Sequence, residues 1–280
     1  MLKSLTEHST AGGTAYVDCG DGEPLVLIHG VGLNRHVWQP QLEAFCNDYR
    51  VITYDTIGHG NSRTPAADVV LDVYLEQLAE LLDRLELDSV NLCGHSMGAL
   101  ITLGFSLKYP HRVRRIIAMM GAYDRTLEHQ QRSQKVADIL AGPKAGVLLK
   151  LTLERWFTEQ DYASHTRAEL ISRVADWLEE VDKSGYSRAY RVFAENGETF
   201  VGQLVDISTP ALFITAQHDA NSTPEMSRRM ASEVQRGQAY IMPGERHMGQ
   251  YLAAASIESL IRRFLESPLT APISNASNER

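Results

Sequence analysis

The sequence is poor in cysteine: its 280 residues hold three, Cys19, Cys46 and Cys93, in no paired and no C-x-x-C spacing. That argues against a disulfide framework and a thiolate zinc site, and a reducing, cytoplasmic setting is expected. Long apolar runs are also missing. The longest, Ile116–Tyr123, reaches eight residues with its glycine counted, far short of a membrane span. Met1–Thr10 has a lysine but no apolar segment behind it, so no signal peptide is expected. No run of Lys or Arg occurs, and 27 basic against 35 acidic residues leave a formal charge of −8. A nucleic-acid backbone or an anionic membrane would be repelled. Neither a P-loop, nor G-x-G-x-x-G, nor a 20 to 50 residue repeat is found, so nucleotide binding has no support. The expected partner is a small molecule, and the sequence does not reveal an oligomeric state.

What is present is a rhythm. Leu25–Ile28, Val51–Tyr54, Val90–Cys93 and Ile116–Met119 are short aliphatic runs, apolar on both faces as buried parallel strands are. Between the second and third, Leu71, Leu75, Leu78, Leu82 and Leu85 form one face of an amphipathic helix. The rhythm breaks near Asp124. About 75 residues then read as helix after helix, punctuated at Gly142–Pro143 and Gly185, before a strand at Ala211–Thr215. A helix from Pro224, a strand at Ala239–Met242 and a last helix through Tyr251–Phe264 close the pattern. The expectation is an α/β fold, a mostly parallel sheet with flanking helices and an inserted helical cap. The core occupies 1–121 and 201–266, the cap 122–200, and a frayed tail 267–280.

Gly94-His95-Ser96-Met97-Gly98 follows a predicted strand and opens a predicted helix. That is the context of a nucleophile elbow, where a sharp turn exposes a serine hydroxyl beside a helix N-terminus and small residues at ±2 avoid collision. Serine needs a base to take its proton, and the base needs an acid to hold its tautomer. His247 lies in the loop after the last strand, and Asp219 just beyond the strand at 211–215. Ligand sites of open α/β sheets form at the strands' carboxyl ends, so Ser96, Asp219 and His247 should converge. Asp124, after an earlier strand, is the competing acid. The turn His29-Gly30-Val31-Gly32 can aim a backbone N–H at an oxyanion, so Val31 N–H and Met97 N–H are the expected donors. His29, His59 and His95 flank tight turns and read as structural hydrogen-bonding residues. Cys93 reads as a buried apolar residue, and Asp55 as a brace for the Gly58-His59-Gly60 turn. Neither a metal nor an organic cofactor is required.

With these motifs in this order, the chain from about 14 to 266 resembles the α/β-hydrolase fold family. Trp38-Gln39-Pro40-Gln41, Tyr54-Asp55-Thr56 and Glu154-Arg155-Trp156-Phe157-Thr158 look, more specifically, like β-ketoadipate enol-lactone hydrolases and related ring-opening enzymes. The resemblance implies a serine hydrolase that cleaves a small ester, lactone or amide through an acyl-enzyme. Carbon–carbon bond hydrolysis, perhydrolysis and slow-turnover reception of a small molecule are the alternatives on the same residues. It also implies that a cap cation pairs a substrate carboxylate, with Arg155 the candidate. Of the cap aromatics Trp156, Phe157, Trp177 and Tyr190, Trp156 is the one expected at the substrate.

Overall fold

The structure is a computed structural model and describes residues 6–142 and 145–269. Its elements run β1 (Glu7–Ser9), β2 (Ala15–Cys19), β3 (Glu23–Ile28), α1 (Gln39–Phe45), β4 (Tyr49–Tyr54), α2 (Leu71–Arg84), β5 (Val90–His95), α3 (Met97–Lys108) and β6 (Val113–Met119). Five helices then intervene: α4 (Leu127–Leu140), α5 (Ala145–Trp156), α6 (Glu159–Ala163), α7 (His165–Glu180) and α8 (Lys183–Glu195). The chain closes with β7 (Ala211–Ala216), α9 (Pro224–Glu233), β8 (Gly237–Met242), α10 (Gly249–Leu252) and α11 (Ala254–Glu266).

Eight strands form one sheet in the order β1-β2-β4-β3-β5-β6-β7-β8. β3 through β8 pair in parallel, while β2 joins β4 and β1 joins β2 antiparallel. Alternation along each strand divides the core. Val26 and Ile28 of β3 face the cluster that includes Leu78 of α2 and Ile101 of α3. Leu25 and Leu27 face the cluster that includes Phe45 of α1 and Ile257 of α11. Burying both faces is what makes these strands continuously apolar.

Three sequence expectations change. The antiparallel edge, β1 and β2, was not expected; β1 is three exposed residues and β2 carries Asp18 and Cys19 at its half-buried end, so neither has a core-strand pattern. The strand expected at Ala239 starts two residues earlier, at Gly237. The last helix is broken at Ala253, whose φ of −125° and ψ of 39° leave the helical region; the bend turns both Tyr251 and Ile257 into one core cluster. Pro143 and residues 270–280 of the expected tail lie outside the described residues.

Candidate active site

β5 ends at His95, and the next residue makes the turn. Ser96 has φ 56° and ψ −113°, a conformation non-glycine residues avoid, held here by Ser96 N–H donating to Met119 O at 2.8 Å. The flanking glycines have a steric cause. A Cβ on Gly94 would lie 2.0 Å from Gly98 O, and one on Gly98 would lie 2.1 Å from Ile28 O. Helix and strand therefore approach more closely than any side chain allows.

Asp219 follows β7 and His247 follows β8, and the sheet brings them together: His247 Nδ1 and Asp219 Oδ2 are 2.6 Å apart and both are buried. The other carboxylate oxygen, Oδ1, accepts Asn221 N–H at 2.8 Å and Ser222 N–H at 3.1 Å. Burial pushes the Asp219 carboxyl up, yet the balance lies below the usual range, because His247 and these two amides favour the anion. The carboxylate thus holds Nδ1–H of the imidazole and leaves Nε2 free to exchange protons. Asp124 is elsewhere, in an ion pair with Arg229 of α9.

Ser96 and His247 line one cavity with Val31, Arg155 and Trp156. Among the hydrogen bonds of the described residues none joins Ser96 Oγ to the imidazole, a contact that in unliganded sites often tightens only around substrate. The Gly30–Val31 turn lies against the nucleophile, since a Cβ on Gly30 would sit 3.1 Å from Ser96 Cβ. Val31 N–H and Met97 N–H donate to no partner among the described residues, whereas the neighbouring Gly32 N–H is taken by His59 Nε2 at 2.9 Å. Two unspent donors beside the serine can stabilise charge developing on a carbonyl oxygen.

The other histidines brace this floor. His29 Nδ1–H donates to Gly30 O at 2.8 Å and its Nε2 accepts Thr56 N–H at 2.9 Å. His95 Nε2–H donates to His247 O at 3.0 Å. Burial lowers His29 to about 4 and both His59 and His95 to about 3, so all three stay neutral at pH 7. Asp55 braces its turn as expected, accepting Asn61 N–H at 2.9 Å, and also forms a buried pair with Arg35 that the sequence did not signal.

Helices α4, α5 and α8 contribute residues to the cavity wall. Trp156, at the end of α5, stacks on His247 with 5.2 Å between ring centroids and 28° between planes. Tyr190 reaches the cavity too, but Phe157 and Trp177 pack against Tyr162 and Tyr251. Arg125, Arg132 and His129 line the wall without having been expected there. His129, Arg132, Ser133 and Val136 fall on one side of α4 at helical spacing, a pattern that in sequence resembles a solvated polar face. Among the described residues no cluster of His, Cys, Asp or Glu is placed to hold a metal. No helix there is long and apolar enough to cross a membrane.

Comparison with known proteins agrees with the fold. Residues 23–254 match the family model described as alpha/beta hydrolase fold. A protein of Acinetobacter baylyi named (E)-2-((N-methylformamido)methylene)succinate hydrolase is 38% identical over 267 residues, covering 95% of this chain and 99% of that one. 3-Oxoadipate enol-lactonase 2 of the same organism is 28% identical over 220 residues, covering 79% and 80%. Among solved structures, a thermophilic esterase from Thermogutta terrifontis (malate bound) superposes with a TM-score of 0.83 at 26% identity, covering 94% of this chain and 98% of that one.

Proposed function

The chain belongs to the α/β-hydrolase fold family, and from that premise we propose that it is a serine hydrolase acting on a small ester, lactone or amide that bears a carboxylate. The observation that carries this reading is the buried Asp219–His247 bond opening onto the same cavity as Ser96 on its strained turn. In the proposed reaction Ser96 Oγ attacks the acyl carbon while His247 Nε2 takes the hydroxyl proton. The carbonyl oxygen gains negative charge between Val31 N–H and Met97 N–H. The tetrahedral intermediate collapses, the bond to the leaving group breaks, and His247 returns the proton to the departing atom. Water then gives a proton to His247 and attacks the acyl-enzyme, releasing the acid and Ser96.

We read the five helices between β6 and β7 as the cap, because Arg155 and Trp156 of α5 meet Ser96 and His247 in one cavity. Arg155 is the proposed carboxylate partner. Among the described residues its buried Nε has no hydrogen-bond partner, and the names of the hydrolase and enol-lactonase relatives both describe carboxylic acid derivatives. Purified protein is to be assayed against amides, lactones and esters of small acids. Repeated turnover, with Ser96→Ala lowering kcat by about 10⁴-fold or more at unchanged Tm, is expected. A Ser96→Ala protein that keeps over a tenth of the activity contradicts the assignment, and a single acylation without turnover favours a receptor.

A further inference from the structure

The cavity's charge is opposite in sign to the chain's. The whole sequence is acidic, at −8, but among the described residues the cavity wall carries Arg125, Arg132 and Arg155 and no Asp or Glu. Asp219 stands behind His247 with its charge already engaged.

Arg125 is the unusual member. It is 5% exposed, and no carboxylate lies within ion-pair distance of its guanidinium among the described residues. Phe193 covers one face at 4.2 Å, and a Cβ on Gly197 would sit 3.1 Å from its Cζ. Its polar contacts are Phe193 O at 3.2 Å and a long Ser133 Oγ contact of 3.5 Å. Glu198 accepts Arg125 N–H at 2.7 Å, and its charge reaches the guanidinium without forming an ion pair with it. A buried cation with no ion-paired carboxylate is costly unless an anion completes it. Arg155 shows the same deficiency at its buried Nε.

The three guanidinia line one cavity together with the Tyr190 phenol. Burial raises Tyr190, and Arg155, Arg125 and Arg132 act on it in the opposite sense. One carboxylate would satisfy Arg155 and leave the buried Arg125 unanswered.

We propose that this site takes a small acyl compound with two carboxylates, one paired by Arg155 near the scissile bond and the other by Arg125 with Arg132. The inference rests on the hydrolase reading for what happens to the substrate, but recognition itself is separable from turnover. Guanidinium pairs carboxylate in a bidentate, charge-assisted manner, so each pair contributes about tenfold or more in affinity. A low-dielectric wall of one sign also concentrates a dianion at the cavity mouth despite the acidic surface.

The test is calorimetric titration of Ser96→Ala with itaconate, its monomethyl ester, its dimethyl ester and inorganic phosphate. Itaconate is expected to bind about tenfold or more tighter than the monoester, and the dimethyl ester weakest. Arg125→Gln should remove most of the itaconate advantage while changing monoester affinity little. Arg132→Gln, at an exposed residue, gives the same readout should Arg125→Gln fail to fold. Equal affinity for itaconate and monoester, or phosphate binding as tightly as itaconate, overturns the proposal. Discrimination that persists in a protein showing no turnover leaves the dicarboxylate site standing and removes only the hydrolase reading.

Discussion

Trp156 lies nearly parallel to the His247 imidazole, 5.2 Å away between centroids, so a residue from the inserted helices covers the proposed base. The indole face favours the imidazolium that forms during proton transfer, by about 0.5–2 kcal/mol. Trp156→Leu should therefore lower kcat several-fold to about thirtyfold with a smaller change in KM, while Trp156→Phe keeps most of the rate. Steady-state kinetics with one activated ester decide; a pure KM effect in both variants assigns Trp156 to substrate binding alone.

Asp219 and Asp124 are separable by the same assay. Asp219→Asn offers His247 Nδ1 the wrong partner and should cost orders of magnitude in kcat. Asp124→Asn breaks a partly exposed pair with Arg229, worth about 0–1 kcal/mol of stability, and should leave kcat nearly unchanged. The reverse ranking places the acid after β6.

Much of this is legible in the sequence. Strands β3 to β7 announce themselves because burial on both faces demands unbroken aliphatic runs, and Ser96 because its turn requires Gly94 and Gly98. Asp219 and His247 could be placed because parallel strands deliver their following loops to one edge. Arg125 and Arg132 could not: Arg125 lies in the irregular segment before α4 and only the packing of Phe193 and Gly197 around it shows its burial, while Arg132 on α4 has the spacing of a solvated face. The helices of the insertion also belong to the core more than their polar composition suggests, with Val174 and Leu178 in one cluster and Ala189 and Val192 in the other.

Acid should unfold the protein through its histidines. Burial lowers His29 to about 4 and His59 and His95 to about 3, whereas the unfolded chain binds those protons near 6.5. Stability is then complete above pH 6.5 and is lost as pH falls towards 4 and 3, by up to about 1.4 kcal/mol per pH unit for each histidine. Denaturant midpoints between pH 7 and 4 should fall steeply, and His59→Asn should flatten the slope by about a third even where it lowers stability throughout. An unchanged slope contradicts a neutral, buried His59.

Two glycines should respond oppositely to alanine. Gly98→Ala places a Cβ 2.1 Å from the Ile28 carbonyl oxygen, and moving α3 off β3 should cost about 1–3 kcal/mol or more. Gly146 is in α5 with nothing within 4 Å of an added Cβ, and Gly146→Ala should stabilise by up to about 1 kcal/mol. Thermal melts of the two variants check both signs.

The most direct test of the account is covalent labelling with an alkyl fluorophosphonate, followed by peptide mass mapping. The account predicts one equivalent of adduct on Ser96, abolished in Ser96→Ala and slowed by orders of magnitude in His247→Ala. Label on another residue, or undiminished labelling of Ser96→Ala, would contradict it.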